Sequence, residues 1–474
     1  MRETATNIVR CLQSAGFEAF WVGGCVRDFL IGREPQDYDI ATNARPEQTE
    51  KLFPKTIPVG KQFGVLLVVE DGHEFQIATF RAESDYQDGR RPEQVRFSDA
   101  REDAIRRDFT VNGLFFDPIT NQTHDWVGGE RDLRAKIIRT IGSPDERFGE
   151  DHLRLLRAVR FAAQLGFEIE AQTFAAIQKL AEKIRVVSAE RVRDELIKLF
   201  TPPHAARGLT LLHESGLMPH VLPELVPTLT CEQSPDYHPE GSVFNHIRLM
   251  LDNLSRGRAA LSSARDATPT QNAREPVDTT PRRGEDTDTL PGTVAESLPW
   301  AALLHDIAKP LTATRDEDGT IHFYTHEKLG AEMAEEILQR LKFPRKQTDD
   351  IAAAVRHHMQ FKDAPHMRKS TLRRMLMRDT FPLELELHRL DCLGSHRRLD
   401  IYDFLREQLA NLNEQPHLHP PLLTGEDLIA LGMRPGRELG LLLHELRDKQ
   451  LADELKTADE AREWVKKRWS APSS

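Results

Sequence analysis

Residues 20–28 read FWVGGCVRD and residues 37–39 read DYD, and these two short stretches decide the fold of the first part of the chain. The apolar letters FWV predict a strand that ends at the glycine pair, after which a helix is expected to begin near Val26. The two aspartates stand at alternate positions. On a strand from residue 37 to residue 41, both carboxylates would therefore project from the same face.

This pattern has the chemistry of a phosphate-handling metal site. Two neighbouring carboxylates repel each other unless a cation lies between them, and Mg²⁺ prefers such oxygen ligands. The glycine pair would leave backbone N–H groups open to a triphosphate at the start of a helix. A lone Asp-x-Asp is usually a surface coincidence and a lone Gly-Gly is usually a turn, but their order and short spacing favour a site.

The first part of the chain mixes strand and helix patterns. The runs at residues 65–69 and 74–80 predict a hairpin across Asp71-Gly72, because that dipeptide suits the positive φ angles of a tight turn. After Gly149 the apolar period changes to 3.6, which predicts helices through Phe200. The head is therefore expected to be α+β and the middle of the chain helical.

Composition limits the classes of protein to consider. At 474 residues, with 39% hydrophobic and 29% charged residues, the chain is expected to form about three soluble domains. Its longest aliphatic run, residues 65–69, is far shorter than the ~20 residues of a membrane span, and no apolar stretch follows a basic N-terminus. These patterns predict a cytoplasmic protein without a membrane partner. Four widely spaced cysteines predict reduced thiols.

The charge distribution bears on the partner. A net charge of −11 by itself disfavours nucleic acid. Basic strips at residues 131–160 and 364–378 are candidate phosphate-facing surfaces, with solvated helix faces as the alternative. Residues 256–299 are rich in Thr, Arg, Asp, Pro and Ser and contain no aromatic residue, so we expect a disordered insertion there.

Further motifs continue the pattern along the chain. They are Gly23-Gly24-x-Val26-Arg27-Asp28, Asp37-x-Asp39, Arg106-Arg107-Asp108-Phe109-Thr110-Val111-Asn112-Gly113, Glu150-Asp151-His152-Leu153-Arg154 and Ser188-Ala189-Glu190-Arg191. In this order they resemble the class II tRNA nucleotidyltransferase and bacterial poly(A) polymerase family, whose head belongs to the DNA polymerase β-like superfamily. The resemblance covers nearly the whole chain apart from the insertion.

The resemblance implies roles for the residues of the head. Asp37 and Asp39 would be the catalytic pair, holding Mg²⁺ and activating an RNA 3′-hydroxyl. The residues that would bind the nucleotide are Gly23, Gly24, Arg27, Arg107, Asn112, Asp151 and Arg154. In the family, the last two select CTP or ATP by imitating the pairing edge of a base; three residues apart on one helix, they would otherwise form an ordinary ion pair. At residue 76 the family commonly has Glu and this chain has Gln76, which leaves a site of two aspartates.

A second set of candidate ligands follows the neck. His246, His305, Asp306 and Asp391 resemble the core ligands of the HD superfamily of metal-dependent phosphohydrolases, and His326 and His357 its ligands for a second metal ion. Imidazole with carboxylate suits a divalent transition metal. This domain would remove phosphate or open a 2′,3′-cyclic phosphate at an RNA 3′ end, or else serve only as a metal-stabilised structural domain.

The expected architecture has four parts. A DNA polymerase β-like nucleotidyltransferase head (1–145) precedes an all-helical neck that selects the nucleotide (146–235), an HD domain with the insertion 256–299 (236–410) and a helical tail (411–474). This implies the addition of CCA to the tRNA 3′ end from CTP and ATP.

Several alternatives stay open. They are an A-adding or CC-adding enzyme, a poly(A) polymerase, and an HD phosphohydrolase whose head only binds RNA. The stretch at residues 85–92 resembles a flexible loop that CC-adding enzymes lack, which disfavours that option. Nothing in the sequence indicates an obligatory protein partner.

Overall fold

The computed structural model describes residues 1–60, 64–86, 92–235, 238–254, 292–415, 418 and 420–469. The chain divides into two compact units, Met1–Val226 and Pro227–Ser474. None of the helices in the described ranges is both long and apolar enough to cross a membrane. The first unit is α+β and the second is almost wholly helical, as the sequence predicts.

The first unit begins with a mixed sheet. Its strands in chain order are β1 (Ala19–Val22), β2 (Ile40–Thr42), β3 (Thr56–Gly60), β4 (Val65–Glu70), β5 (His73–Thr79), β6 (Arg81–Tyr86), β7 (Pro92–Phe97), β8 (Phe115–Asp117), β9 (Gln122–His124), β10 (Ile137–Ile138) and β11 (Glu168–Ile169). Seven of them form one sheet in the order β3-β4-β5-β2-β1-β8-β9, while β6 pairs with β7 and β10 with β11.

The other elements of the first unit are helices, which predominate after residue 143. They are α1 (Arg2–Ser14), α2 (Gly24–Leu30), α3 (Pro46–Leu52), α4 (Ala100–Ile105), α5 (Gly129–Ala135), α6 (Pro144–Glu150), α7 (Leu153–Leu165), α8 (Ala171–Leu180), α9 (Ala189–Leu199), α10 (Ala205–Glu214) and α11 (Met218–Val221), with 3-10 turns at Thr110–Asn112, Ala181–Val186 and Pro223–Leu229. Leu156 and Val159 of α7 are fully buried, which confirms the predicted apolar stripe.

The predicted strand at FWV and the predicted hairpin are both confirmed. Trp21 of β1 pairs with Ile40 on one side and with Phe116 on the other. Strands β4 and β5 pair antiparallel across Asp71 and Gly72, whose φ angles are 51° and 77°. Positive φ at both central residues matches the twist of the flanking strands.

Two predicted boundaries in the head are wrong. Strand β2 begins at Ile40 and not at residue 37, because the Tyr38 ring packs on Trp21 at 4.8 Å and only the Asp39 carbonyl of this approach segment accepts a bond from the strand, from Val22 N–H at 3.0 Å. Helix α2 begins at Gly24 and not near Val26, because the positive φ of Gly23 completes the turn one residue earlier.

The second unit is built from helices and one small hairpin. Its elements are α12 (Val243–Asn253), α13 (Gly292–Leu304), α14 (Lys309–Thr312), β12 (Ala313–Arg315), β13 (Ile321–Phe323), α15 (His326–Arg340), α16 (Arg345–His357), a 3-10 segment His358–His366, α17 (Lys369–Leu376), α18 (Phe381–Gly394), α19 (Asp400–Asn413), α20 (Gly425–Ala430), α21 (Arg437–Leu451) and α22 (Ala458–Arg468). Helix α18 packs against α12, α13 and α16.

The predicted disordered insertion at 256–299 needs correction at its C-terminal end. Residues 255–291 lie outside the described residues, as do residues 87–91 of the predicted loop at 85–92. Residues 292–299, however, form the first half of α13. Val294 and Leu298 are buried there at the i, i+4 spacing of one helix face, and this apolar pair is enough to continue the helix backwards from Trp300.

Candidate active sites

The two aspartates of the head stand just before β2. Tyr38 between them is buried, which turns Asp37 to the surface and leaves Asp39 partly buried. Burial and the charge of Asp37 raise the pKa of Asp39 to about 6, although Arg107 opposes the shift. The repulsion between the two carboxylates falls when a cation binds both groups, so the pair fits a divalent metal ion.

The glycine pair allows an arginine to approach the backbone. Gly23 has a φ of 75°, and a Cβ atom at this position would lie 2.9 Å from Nη1 of Arg107. Arg107 is held there by Asp103, at 3.1 Å, and by the ring of Phe115, 5.1 Å from its guanidinium carbon. Gly23 is therefore required both for its backbone angle and for the space that Arg107 occupies.

Two further predicted nucleotide-binding residues contact each other directly. Arg27 donates a hydrogen bond to Oδ1 of Asn112 at 2.8 Å, and Asn112 donates to Asp108 at 3.1 Å. Asp108 in turn pairs with Arg157 of α7 at 2.6 Å. Burial by itself raises the pKa of Asp108, but Arg157 and Asn112 lower it to about 2. Asp108 and Arg157 were missed as site-supporting residues because their roles depend on a contact between elements 49 residues apart.

Asp151 and Arg154 do not share one helix, so that prediction is wrong. Asp151 lies in the break after α6, with φ −147° and ψ 107°, and Arg154 lies in the first turn of α7. Arg154 pairs with Glu150, whereas Asp151 accepts a hydrogen bond from Arg191 of α9 at 2.7 Å. The two are not paired with each other, which leaves each one held from a different side.

Arg191 is a further candidate site residue, which the sequence alone does not predict. Its Nη1 atom is buried and has no hydrogen-bond partner among the described residues. A buried guanidinium N–H without a partner is costly, and this one belongs to the side chain that holds Asp151. The motif containing Arg191 was noticed in the sequence, but its contact with Asp151 spans 40 residues.

Gln76 lies on the strand next to the aspartates. Ile77 of β5 pairs with Ile40 of β2 in a parallel register, so Gln76 and Asp39 each precede the paired residues by one position. Gln76 is exposed. The position at which the family commonly has a third carboxylate therefore falls on the strand beside Asp39.

Cys25 is the closest thiol to these carboxylates. Its Sγ lies 3.3 Å from the Val22 carbonyl oxygen and 3.8 Å from that of Asp39, and the side chain is buried. Burial and the charge of Asp39 raise the pKa of the thiol to about 12. Cys25 is therefore a packing residue at neutral pH and not a nucleophile.

The second unit contains a buried cluster of imidazoles and carboxylates. Two overlapping groups of candidate metal ligands share Asp306: one also contains His246 and His305, and the other contains His326 and His358. These five residues are each at most 4% exposed. Asp391 joins the cluster with Oδ1 at 3.1 Å from Nε2 of His246.

The predicted ligand His357 is not in this cluster. Its Nδ1 lies 3.0 Å from Glu384, and His358 takes the expected place, with Nε2 at 3.2 Å from Nε2 of His326. The sequence offers two adjacent histidines here, and only the rotation of α16 decides which one points inward. The Nδ1 of His358 lies 2.6 Å from the Val355 carbonyl at the end of α16, which fixes the inward direction.

The four inward histidines follow one rule. Each Nδ1 bonds an acceptor oxygen: Glu240 for His246, Ala302 for His305, Phe323 for His326 and Val355 for His358. An oxygen acceptor requires the proton on Nδ1, which leaves the lone pair of Nε2 pointing into the cluster. Nε2 of His246 lies 3.1 Å from Oδ1 of Asp391, and Nε2 of His305 lies 3.0 Å from Oδ2 of Asp306. This convergence of buried imidazole nitrogens and carboxylate oxygens fits a divalent metal ion.

Electrostatics in the cluster depend on the neighbours of each group. Burial by itself lowers the pKa of His246, but Asp391 and Glu240 raise it to about 9; without a cation its Nε2 therefore carries a proton towards Asp391, which a bound metal ion would displace. Burial and His305 lower the pKa of His358 to about 3. Lys309, which sequence reasoning missed, donates to Asp306 at 2.7 Å and to Gln233 at 2.6 Å, so it holds Asp306 in its ionised form.

The basic strip at 364–378 is largely used inside the protein. Arg373 is buried and donates to the Leu451 carbonyl at 2.9 Å and to Asp453 at 2.7 Å. Lys369 also pairs with Asp453, and Arg374 pairs with Asp448. These contacts join α17 to the end of α21, so the strip stabilises the fold at these three positions.

Comparison with known proteins gives three matches in chain order. Residues 19–139 match the Poly A polymerase head domain, residues 166–229 match the probable RNA and SrmB-binding site of polymerase A, and residues 289–393 match the HD domain. The head match contains both aspartates and Asn112. The last match contains His305, Asp306, His326, His358 and Asp391.

Individual relatives agree with this order. The chain is 45% identical over 220 residues to the CCA-adding enzyme of Geobacillus kaustophilus, covering 46% of this chain and 54% of the relative. It is 44% identical over 211 residues to that of Streptococcus mutans, covering 44% and 52%. The chain thus spans about half the length of the curated relatives that it matches.

A solved structure extends the likeness to the full chain. The Bacillus stearothermophilus CCA-adding enzyme in complex with CTP has a TM-score of 0.67 and 25% identity, covering 98% of this chain and 96% of its own. The Thermotoga maritima CCA-adding enzyme complexed with tRNA has a TM-score of 0.55 at 18% identity, covering 98% and 95%. The latter likeness shows a shared fold.

Proposed function

We propose, for this member of the tRNA nucleotidyltransferase and bacterial poly(A) polymerase family, the stepwise addition of CCA to the tRNA 3′ end from CTP and ATP with release of pyrophosphate. The observation that carries the proposal is the placement of Asp37 and Asp39 beside the Gly23–Arg107 contact, inside a matched head domain. The relatives named CCA-adding enzyme, and the CTP and tRNA complexes among the solved structures, support the same activity. We also propose that the protein acts in the cytoplasm, as its sequence predicts.

The proposed roles in the head follow from chemistry and position. Asp37 and Asp39 would hold Mg²⁺, which when bound activates the attacking 3′-hydroxyl and neutralises charge on the phosphates. Arg107 and the backbone at Gly23-Gly24 would bind the triphosphate, and Arg27 would hold Asn112 in position towards the ribose. No covalent enzyme intermediate is required.

The proposed nucleotide-reading set lies around the break between α6 and α7. Asp151 offers acceptors and Arg154 offers donors, which together match the pairing edge of a cytosine or an adenine. Their partners, Arg191 and Glu150, hold them separately. We add Arg191 to the set because its buried Nη1 has no hydrogen-bond acceptor among the described residues.

The test is a primer-extension assay on three tRNA transcripts, ending at the discriminator base, at C and at CC. Each is incubated with Mg²⁺ and CTP, ATP or both, and products are resolved at single-nucleotide resolution. Growth of all three to CCA followed by arrest supports the proposal. Extension of only the CC transcript by one A indicates an A-adding enzyme, and a long A ladder indicates a poly(A) polymerase.

A matched pair of variants tests the site itself. Asp37→Ala is expected to abolish extension. Asp145→Ala removes an exposed aspartate of the same unit that pairs with Lys179, and is expected to leave extension unchanged. Unchanged extension by Asp37→Ala would overturn the assignment of the head.

We propose a second activity for the His-Asp cluster, hydrolysis of a phosphate ester at an RNA 3′ end. His246, His305, Asp306 and Asp391 would hold a divalent transition metal, with His326 and His358 completing a second ion's ligands. The metal when bound would supply an activated water. The specific observation in favour is the convergence of three buried Nε2 atoms on Asp306, those of His305 at 3.0 Å, His326 at 3.4 Å and His358 at 3.7 Å.

This second activity has a direct test. RNA oligonucleotides ending in a 3′-phosphate or a 2′,3′-cyclic phosphate are incubated with Mn²⁺, Co²⁺ or Ni²⁺ and without metal. Metal-dependent conversion that disappears in Asp306→Asn supports the proposal. Stoichiometric metal binding without any conversion would indicate the structural alternative.

A further inference from the structure

A carboxylate outside the ligand set contacts one of its histidines. Oε1 of Glu240 lies 2.6 Å from Nδ1 of His246 and 2.9 Å from Nδ1 of His238. The Glu240 side chain is 6% exposed, and the His238 and His246 rings are 4.9 Å apart. Of the four inward histidines, His246 is the one whose Nδ1 bonds a carboxylate; the other three bond backbone carbonyls.

Local backbone geometry brings Glu240 to this position. Ser242 caps α12 by accepting a hydrogen bond from Asn245 N–H, so His246 lies in the first turns of the helix and Glu240 lies before it. Gly241 has a φ of 92°, and a Cβ atom there would meet nothing within 4 Å. The turn at Gly241 directs the Glu240 side chain back along the helix towards a residue six positions later.

The hydrogen bonds of Glu240 are unequal. Oε1 serves both imidazoles, whereas Oε2 is buried without a partner among the described residues. A purely structural carboxylate gains most by satisfying both oxygens. Here both donors converge on one oxygen, and each is an imidazole whose proton the bond fixes on Nδ1.

We propose that Glu240 is a positioning residue for the metal site, fixing the tautomer and orientation of His246, with His238 holding Glu240 in turn. The inference rests on the proposed metal-binding role of the His-Asp cluster. With Nδ1 of His246 held by Glu240, Nε2 is the ring nitrogen that faces Asp391 and is placed to bind a metal ion. An imidazole bonded to a carboxylate is also a more basic ligand than a free one, which strengthens its bond to a cation.

The experiment uses Co²⁺ as the probe and the full-length protein. Co²⁺ affinity is measured by competition with a chromophoric chelator, and the visible absorption of bound Co²⁺ reports the geometry of the site. Glu240→Ala is expected to weaken Co²⁺ binding about 10- to 100-fold and to change the absorption spectrum. Glu240→Gln, which keeps an acceptor oxygen but not the charge, is expected to lose less, about 3- to 10-fold.

Two matched comparisons separate positioning from general destabilisation. Glu232→Ala removes a glutamate of the same segment that is exposed and paired with Arg315, and it should bind Co²⁺ as the parent protein does. The double variant His238→Ala/Glu240→Ala should lose no more affinity than Glu240→Ala alone, because His238 acts through Glu240. Far-UV circular dichroism and the urea midpoint of each variant serve as the folding control.

The outcomes distinguish the two proposals. If His246→Ala weakens Co²⁺ binding and Glu240→Ala does not, the cluster is a metal site and the positioning role is wrong. If the parent protein binds no Co²⁺, or if His246→Ala binds it unchanged, the proposed metal centre fails and the positioning role fails with it. Equal losses in Glu240→Ala and Glu232→Ala would also overturn the positioning role.

Discussion

At the scale of single residues, Gly23 shows how one atom decides a site. Two constraints meet there, a φ of 75° and the approach of Arg107 Nη1 to 2.9 Å from where a Cβ atom would lie. Either constraint alone favours glycine, and the second also depends on a side chain 84 positions later. The Arg107 guanidinium can therefore lie at the proposed triphosphate site only because residue 23 has no side-chain methyl group.

Gly23→Ala is expected to lower nucleotide incorporation by at least about tenfold, because the new methyl group displaces Arg107 in addition to straining the backbone. Gly32→Ala is the matched control. Gly32 has the same φ of 75°, and nothing lies within 4 Å of its Cβ position. Single-turnover incorporation of CTP by the two variants measures the difference, and equal losses in both would show that strain alone matters.

Asp108 is a second residue whose contribution, here to the stability of the fold, can be tested by one substitution. Its pKa is lowered from 3.8 to about 2 in the folded chain, so its ionised form stabilises the fold by about 2 kcal/mol at neutral pH. This stabilisation is fully present above the unfolded pKa and is lost as pH falls through the folded pKa, between about pH 4 and pH 2.

Asp108→Asn is accordingly expected to lower the urea midpoint strongly at pH 7 and about half as much at pH 3. Far-UV circular dichroism of parent and variant at the two pH values measures the difference. Asp145→Asn, at an exposed surface pair, should change the midpoint little at either pH. A destabilisation by Asp108→Asn that does not depend on pH would contradict the assigned ion pair.

At the scale of elements, the break between α6 and α7 places Asp151 and Arg154 outside a common helix. Spacing alone predicts Asp151 and Arg154 on one face of one helix, where an ion pair between them is the alternative to reading a base. The break lets Asp151 turn towards Arg191 while Arg154 pairs with Glu150. Two groups held by different partners can both offer hydrogen bonds to a base, whereas a closed pair cannot.

Arg154→Ala is expected to reduce incorporation of both CTP and ATP and to raise the relative incorporation of UTP and GTP, because the base edge loses its donors. Arg193→Ala is the control, since Arg193 lies two residues after Arg191 and pairs with its neighbour Asp194. Incorporation of each of the four nucleotides onto a CC-ending tRNA is compared. An equal loss for all four nucleotides would mean that Arg154 supports the fold and does not read the base.

Sequence reasoning was reliable where a pattern is local. The strand at FWV, the hairpin at Asp71-Gly72 and the apolar stripe of α7 each depend on neighbouring residues, and each is confirmed. It was wrong where a rotation or a distant partner decides. His357 ends α16 and His358 begins the 3-10 segment after it, one position apart, and Val294 with Leu298 extends α13 through a segment whose composition predicts disorder.

At the scale of the whole molecule, the two candidate sites lie in different units. The carboxylates of the head belong to Met1–Val226, and the His-Asp cluster belongs to Pro227–Ser474. Each site is completed by residues of its own unit: Arg107 and Arg157 for the first, Lys309 and Glu240 for the second. Among the described residues, the contacts named for each site thus come from its own unit.

A reciprocal pair of variants tests this independence. Asp37→Ala is expected to abolish CCA addition and leave Co²⁺ binding unchanged, whereas Asp306→Asn is expected to lower Co²⁺ affinity at least about 100-fold and leave CCA addition within about twofold. Both activities are measured on the same preparations. Loss of CCA addition in Asp306→Asn, with an unchanged circular dichroism spectrum, would show that the two units are functionally coupled.

The burial of Cys25 has a practical consequence for labelling the protein. Its thiol is protonated at neutral pH and enclosed between the Val22 and Asp39 carbonyls, and Cys392 is likewise buried. Maleimide dyes react with exposed thiolates, so they are expected to attach first at the partly exposed Cys11 and more slowly at the partly exposed Cys231, because burial raises the pKa of that thiol. A fluorophore can therefore be introduced into each unit of the unmodified chain without touching the carboxylates that the reaction would use.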